Sequence, residues 1–119
     1  MLEEADGFLA ARGLRSRVDL VPGDIFSGLD ARADVYLLKD VLHDWDDERC
    51  ARILRTVSGA MPPGARVVLV ETLQEPNVPD PIASFADVQM LTQCDGGRQR
   101  SVAELHALLR EADLKPGEV

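Results

Sequence analysis

Short runs of apolar residues mark the predicted strands of this chain. Val35–Leu38 and Arg66–Glu71 are each a few residues long and rich in apolar side chains, which is typical of parallel strands buried on both faces. Arg17–Pro22 is predicted to be a further short strand, with Val18 and Leu20 on one face. The hydrophobic pattern therefore predicts three strands.

Longer stretches carry apolar residues three and four positions apart, which is helical spacing. The predicted helices cover Met1–Arg12, Asp46–Met61, Ala83–Leu91 and a last segment that begins at Ser101. Gly13 is placed to end the first helix, and Ser101 and Glu104 form a capping box that begins the last one. Strands that alternate with helices predict an α/β fold with a largely parallel sheet.

The same spacing predicts which side of three helices faces the core. In the second helix these residues are Cys50, Ile53, Leu54, Val57 and Met61. In the third they are Phe85, Val88 and Leu91. In the last they are Leu105, Leu108, Leu109 and Ala112.

Length and charge narrow the classes of function. The chain has 119 residues, one domain at most, and a formal net charge of −8, which argues against nucleic acid and anionic membrane surfaces as partners. No apolar run approaches a membrane span, and the first residues have no secretion signal. The two cysteines, Cys50 and Cys94, have no metal-ligand spacing, so a reduced, cytoplasmic protein is expected.

Polar side chains crowd the segment after the Val35–Leu38 run, where ligands bind in open α/β sheets. His43 is the strongest candidate for chemistry, although a histidine near a helix start is often an ordinary one. The acidic run Asp44–Glu48 could suggest a metal site with His43. A helix N-terminus that favours negative charge explains the run more simply, so no metal is predicted.

Six motifs follow one another in a specific order. They are GDIF, LLKDVLHDWDDE, PPGARVVLVE and finally DVQML, GGRQRS and ELHALLREADL. This order resembles the class I S-adenosylmethionine-dependent O-methyltransferases of the plant and actinomycete type, which act on small phenolic and polyketide metabolites. The resemblance implies a partial Rossmann-like methyltransferase domain over residues 1–119. It also implies S-adenosyl-L-methionine as cofactor, a small-molecule acceptor, and a homodimer for full-length relatives.

The resemblance assigns His43 as the general base that removes the proton of the acceptor hydroxyl. A phenol with a pKa near ~10 is mostly protonated at neutral pH, and imidazole is the side chain that titrates there unaided. Glu71 matches one of the family's two acidic partners of the base, although it could also be a solvated strand end. Gln99 stands where many relatives have the second, a glutamate, so either Glu71 suffices or proximity to the methyl donor matters more than proton removal.

The resemblance also assigns binding residues. Gly23, Asp24, Ile25 and Phe26 match the adenine pocket, where the Asp24 carboxylate would accept from the exocyclic amine. Lys39 matches a residue near the cofactor. Trp45, Met90 and Cys94 are assigned to the acceptor side. The plainer alternatives are that Gly23 and Asp24 form only a turn, that Lys39 is a surface lysine, and that Cys94 is a packing residue.

Several family features have no match in this sequence. They are the glycine-rich cofactor loop, the acidic residue that holds the ribose, the N-terminal dimerisation domain, and the first two and last two strands. In the family's strand order the first two strands lie between Arg17–Pro22 and Val35–Lys39. We therefore expect Arg17–Pro22 either to slide across and pair with the next strand, or to leave an unstable piece.

A truncated, non-catalytic remnant or partner-binding module is thus the alternative function. A nicotinamide-dependent oxidoreductase has little support, because no phosphate-binding turn is present.

Overall fold

The computed structural model describes residues 2–119, which form an α/β arrangement. In chain order the elements are α1 (Leu2–Ala11), a 3-10 turn (Arg15–Arg17), β1 (Val35–Lys39), a 3-10 turn (Leu42–Asp44), α2 (Asp47–Ala60), β2 (Arg66–Val70), α3 (Pro81–Gln93) and α4 (Val102–Glu111). Within that range, no helix combines the length and the apolar character that crossing a membrane requires. The predicted strand–helix alternation is confirmed from β1 onwards.

The two strands pair in parallel, in a register that sets Val35 opposite Arg66 and Lys39 opposite Val70. Their inner face and the apolar sides of α2 and α4 form one core. Tyr36 lies in this core, and its hydroxyl lies 2.7 Å from the Ala31 carbonyl oxygen and 3.0 Å from that of Ala60, while it accepts from the Ala33 N–H, so its buried polar atom is satisfied.

The opposite face of the sheet is open. Val35 is 56% exposed, Leu37 62%, Val68 41% and Val70 42%. The prediction that these runs are buried on both faces is therefore wrong for the outer face. Helices cover only one side of this sheet within residues 2–119, whereas sheets of parallel strands are usually covered on both.

Local capping explains where the two core helices begin. The Asp46 carboxylate accepts a hydrogen bond from the Arg49 backbone N–H at 2.8 Å, directly before α2. At α4 the capping box is confirmed, because the Ser101 hydroxyl accepts from the Glu104 N–H and the Glu104 carboxylate accepts from the Ser101 N–H. The backbone hydrogen bond from Ser101 is also the main reason why the pKa of Glu104 lies below its ordinary value.

The predicted inward faces of these two helices are confirmed with one exception. Every predicted residue of α4 is buried, and so are Cys50, Ile53, Leu54 and Val57 of α2, while Met61 follows the helix and is only partly buried. The Met1–Arg12 helix is confirmed as Leu2–Ala11, with Met1 outside the described residues. It ends at Gly13, whose φ of 66° is the left-handed conformation that favours glycine.

The predicted strand Arg17–Pro22 is wrong. Arg17 belongs to a 3-10 turn, the residues that follow have no regular structure, and Val21 is 77% exposed. A strand is stable only when a neighbour satisfies its backbone hydrogen bonds, and this segment neither slides across nor pairs with β1. Of the two alternatives stated above, the first is thereby excluded.

The predicted inward face of α3 is also wrong, although the helix itself is confirmed as Pro81–Gln93. Phe85 and Leu91 are each 71% exposed and Val88 is 58% exposed. The buried residues of α3 are Ala83 and Met90. The apolar residues of α3 lie on all sides of the helix. Their spacing therefore could not show which side packs against the rest of the protein.

The capping box yields a stability prediction. Replacing Ser101 by alanine removes the side-chain acceptor for the Glu104 N–H, so we expect a loss of about 1 kcal/mol in the free energy of unfolding. Urea denaturation followed by far-UV circular dichroism measures it. Ser84→Ala, at an exposed position of α3, is the matched control and should change stability by less than about 0.5 kcal/mol. Equal effects of the two substitutions would contradict the role of the capping box.

Candidate active site

His43 lies on the 3-10 turn Leu42–Asp44, directly after β1. The ladder between the strands ends where the Asp40 N–H donates to the Val70 carbonyl oxygen at 2.9 Å. Asp40 has a φ of 53°, which turns the chain sharply away from the strand direction. Leu42 is completely buried and anchors the turn in the core. The turn therefore presents His43 at the carboxyl end of the parallel strands.

Glu71, the first residue after β2, joins this turn from the neighbouring strand. Its Oε1 accepts from the backbone N–H groups of Val41 at 3.1 Å and Leu42 at 2.8 Å. Its Oε2 lies 2.8 Å from Nδ1 of His43. The side chains of Glu71 and His43 are 5% and 16% exposed, so the pair is largely shielded from water.

The hydrogen-bond pattern sets the tautomer of the imidazole. A carboxylate only accepts, so Nδ1 of His43 carries the hydrogen and donates it to Glu71. In the neutral ring Nε2 is then the basic nitrogen. The nearest anionic group to Nε2 is Oδ1 of Asp44 at 3.5 Å, which is too long for a strong hydrogen bond. This arrangement can accept a proton at Nε2 and stabilise the resulting imidazolium through Glu71.

Gln99 is buried but has no hydrogen bond to His43. The residue is 5% exposed and its Oε1 atom has no hydrogen-bond partner among residues 2–119, while its backbone N–H donates to the Asp87 carboxylate at 2.7 Å. The structure therefore brings His43 and Glu71 together and does not add Gln99 to the pair. A catalytic role for Gln99 stays a prediction.

The double glycine Gly96–Gly97 packs directly against the His43 turn. A Cβ atom on Gly97 would lie 2.6 Å from the His43 carbonyl oxygen and 2.6 Å from Cβ of Cys94. A Cβ atom on Gly96, whose φ is 81°, would lie 2.9 Å from Cβ of Asp46. Only a residue without a side chain allows so close an approach of the two backbones.

Arg100 contacts the same turn from the other side, and the sequence did not point to it. Its guanidinium donates to the carbonyl oxygens of Leu42 at 2.8 Å and Trp45 at 2.7 Å, and to the Asp47 carboxylate at 2.9 Å. Arg100 is only 3% exposed, which is rare for arginine. Burial alone would raise the pKa of Asp47, but the hydrogen bonds from Arg100 and Arg98 outweigh it and hold that pKa below its ordinary value.

Cys50 supports the same two carbonyl oxygens more weakly. Its Sγ lies 3.1 Å from the Leu42 oxygen and 3.5 Å from the Trp45 oxygen. Burial raises the pKa of the Cys50 thiol to about 11, so this group keeps its proton at neutral pH. Cys50 was predicted as a core residue only.

The predicted cofactor segment Gly23–Phe26 forms a turn on the start of α2. The Asp24 carboxylate accepts from the Ser27 hydroxyl and from the Phe26 N–H, which together hold the pKa of Asp24 below its ordinary value. The Phe26 ring meets the Trp45 ring edge to face, with centroids 4.9 Å apart. Lys39 is exposed and pairs with its neighbour Asp40. The binding roles of Gly23, Asp24, Ile25, Phe26 and Lys39 stay predictions.

The predicted acceptor residues lie on the Asp44 side of the turn. The Cys94 thiol donates to the Asp44 carboxylate at 3.4 Å and lies 3.9 Å from Sδ of Met90. Burial is the main cause, followed by the hydrogen bond to Asp44, of a raised pKa of Cys94. Met90 and Cys94 are thus linked to the residue beside His43. Their contact with an acceptor, and that of Trp45, stays a prediction.

One cluster has the composition of a metal site. Single ligand atoms of Asp40, His43 and Glu71 lie within 4.8 Å of one another. The Glu71 oxygen nearest to His43 already accepts the Nδ1 hydrogen, which explains their proximity without an ion. The sequence-based expectation of no metal stays a prediction.

A cavity of about 410 Å³ lies along β2 and α4 and borders the candidate site at Glu71. Leu105, His106 and the last residues 117–119 also line it, together with most of β2. His43, Asp24 and Lys39 do not. Of the His43–Glu71 pair, only Glu71 therefore borders this cavity.

The close approach at Gly97 predicts a sharp steric effect. Gly97→Ala places a methyl group against the His43 carbonyl oxygen, so we expect a loss of about 1–3 kcal/mol in unfolding free energy. Gly59→Ala is the matched control: its Cβ would meet no atom within 4 Å in α2, and it should be neutral or stabilising by up to about 1 kcal/mol. Urea denaturation followed by fluorescence of the single tryptophan, Trp45, measures both. A Gly97→Ala protein as stable as the parent would contradict the packing.

Comparison with known proteins gives the family. The model of the O-methyltransferase domain matches residues 1–115. Mitomycin biosynthesis 6-O-methyltransferase of Streptomyces lavendulae is 43% identical over 115 residues, covering 95% of this chain and 32% of that protein. O-demethylpuromycin-O-methyltransferase of Streptomyces alboniger is 39% identical over 115 residues, covering 94% and 30%. The chain thus spans about a third of the length of these relatives.

Comparison with solved structures gives the same family. The chain is similar to the mitomycin 7-O-methyltransferase structure with a TM-score of 0.89 and 40% identity, over 98% of this chain and 34% of that one. It is also similar to an O-methyltransferase from neocarzinostatin biosynthesis, solved with S-adenosyl-L-homocysteine and 1,4-dihydroxy-2-naphthoic acid, with a TM-score of 0.82 and 35% identity, over 93% and 33%. The fold is that of a partial methyltransferase domain, and the chain belongs to the O-methyltransferase domain family.

Proposed function

We propose that this chain carries the catalytic base of an S-adenosylmethionine-dependent O-methyltransferase, which methylates a hydroxyl of a small phenolic or polyketide-like metabolite. The observation that supports this most directly is the hydrogen bond from His43 Nδ1 to Glu71 at the strand ends. It leaves Nε2 as the basic nitrogen of a largely shielded pair. The relatives named for mitomycin and puromycin act on small molecules, which supports the class of acceptor.

His43 would act on the acceptor hydroxyl. A phenol is a poor nucleophile while it keeps its proton, and a base near neutral pKa removes that proton as the new bond to carbon forms. The proton goes from the hydroxyl oxygen to Nε2, and Glu71 stabilises the imidazolium through Nδ1. Because Gln99 adds no charge to this pair, we propose that, within residues 2–119, Glu71 is the carboxylate that orients the ring through Nδ1.

The donor atoms that the chain offers fit S-adenosyl-L-methionine. This cofactor supplies an electrophilic methyl group on a cationic sulfonium. Asp24, whose lowered pKa keeps it ionised, would accept from the adenine amine, and Phe26 would cover the apolar side of the ring. The carboxylates of Asp40 and Glu71 lie close to His43 and add negative charge where a cation would bind.

The role of His43 is tested by methyl transfer. The present chain replaces the matching region of the Streptomyces lavendulae relative, with which it is 43% identical. This chimera is called the exchanged protein below. We expect the exchanged protein to transfer methyl groups and the same protein with His43→Ala to lose about 10²–10⁴-fold in kcat, because the base is gone. His106→Ala, which removes the other histidine of the segment from α4, is the matched control and should keep full activity. Unchanged turnover in His43→Ala would remove His43 as the base.

A non-catalytic remnant or partner-binding module is the second candidate. The exposed outer face of β1 and β2 favours it, because uncovered apolar strands are suited to contact with another surface. On this view the family residues would persist without binding the cofactor. Homodimerisation and a cytoplasmic location also stay predictions.

Calorimetric titration of this chain with S-adenosyl-L-homocysteine distinguishes the two candidates. We expect one-to-one binding that weakens about tenfold or more in Asp24→Asn, because an ionised hydrogen-bond acceptor is lost. Asp19→Asn, at an exposed position in the segment before the Gly23–Phe26 turn, should bind like the parent. No measurable binding to a folded parent chain would favour the remnant.

A further inference from the structure

We propose that Arg100 is a positioning residue for His43: its buried guanidinium holds the turn that carries the imidazole, so that Nδ1 stays on Glu71 and Nε2 faces the acceptor. This inference rests on the proposed function only for its consequence in catalysis. Nothing in the composition or periodicity of the GGRQRS segment marks Arg100 as buried.

The guanidinium contacts the turn at both of its ends. Nη1 donates to the Leu42 oxygen and Nη2 to the Trp45 oxygen, and these two residues bracket His43 and Asp44. Nε donates to the Asp47 carboxylate, so each of the three nitrogens of the guanidinium donates a hydrogen bond. A charge with only 2% of its side chain exposed is costly to bury unless it is paired, and Asp47 supplies the pairing.

The contacts of Arg100 complement those of Glu71. Glu71 accepts from the N–H groups of Val41 and Leu42, at the start of the turn. Arg100 donates to carbonyl oxygens at both ends of the same turn, on the side that Glu71 does not contact. The backbone around His43 is thus fixed by an anion on its N–H groups and a cation on its carbonyl groups. A loss of either contact frees the turn to rotate and to move the imidazole from Glu71.

Lysine cannot reproduce these contacts. Its ammonium carries its three N–H donors on one nitrogen, whereas two carbonyl oxygens and a carboxylate need the flat, forked guanidinium. Cys50 shares the two carbonyl oxygens, but a thiol is a weak donor. Arg98 offers a matched control, because it pairs with the same Asp47 and with Glu104 and has no hydrogen bond to the His43 turn.

The tautomer of His43 is the readout, since it reports the imidazole geometry directly. The chain is labelled with 15N, and long-range 1H–15N correlation spectra are recorded at a pH where the imidazole is neutral. His106, the only other histidine, is an internal reference. We expect the Nδ1–H form in the parent chain and in Arg98→Lys. In Arg100→Lys we expect the Nε2–H form to become the main one, as in histidine free of a partner.

Asp47→Asn is a second variant, which weakens the hold on Arg100 without changing the size of any side chain. We expect it to shift the tautomer in the same direction to a smaller extent. Near-UV circular dichroism of Trp45 checks that each variant is folded. A folded Arg100→Lys chain with the parent's tautomer would overturn the proposal. If Arg100→Lys does not fold, an unshifted Asp47→Asn chain would overturn it.

Methyl transfer then separates this proposal from the proposed function. In the exchanged protein described above, Arg100→Lys should lower kcat by about 10²-fold, the effect of a misplacement near 1 Å, and leave the KM for the methyl donor nearly unchanged. A shifted tautomer together with full activity of His43→Ala would mean that Arg100 positions His43 and that His43 is not the base.

Discussion

The carboxylate of Glu71 is the group on which the geometry of the candidate site depends. It follows β2, yet it accepts hydrogen bonds from Val41, Leu42 and His43, which lie beyond the end of β1 and 28 to 30 residues earlier in the chain. A parallel pair of strands brings its two carboxyl ends to the same edge, and Glu71 uses that proximity to tie the ends together. One side chain therefore completes the backbone hydrogen bonds of a turn and orients an imidazole at the same time.

The elements that the sequence predicted well are those whose stability is local or whose partner lies nearby in the chain. The helix at Asp46–Met61 and the capping box at Ser101 were both found, because the cap and the apolar stripe lie within a few residues. Arg17–Pro22 was predicted to be a strand and is not, since strand formation depends on a neighbour that this segment does not meet. The prediction of the inward face of α3 was wrong for a related reason, because apolar spacing cannot show which side of a helix another element covers.

The residues of the candidate site also differ in whether the sequence could predict them. His43 and Glu71 were paired through the family resemblance that the motifs carry, and the structure brings the two side chains together. Arg100 could not be found, because its partners Leu42 and Trp45 offer backbone carbonyl oxygens that leave no trace in the sequence. The position of Gly97 was not predicted either, and a Cβ atom on it would lie 2.6 Å from the His43 carbonyl oxygen. Close packing of two backbones is a tertiary property, and a glycine alone does not reveal it.

The two halves of the site differ in how completely the chain supports them. Around His43 the contacts come from Glu71, Arg100 and Gly97, so residues of this chain hold the turn on its N–H side, on its carbonyl side and from the glycine loop. Around Asp24 the carboxylate bonds only within its own turn, while Phe26 contacts the Trp45 ring and accepts from Arg52 of α2. A rigid base needs its orienting groups in place before substrate arrives, because rotation of the imidazole would otherwise compete with proton transfer. Within residues 2–119 the proposed base is therefore preorganised, whereas the proposed methyl-donor side is built from one short turn.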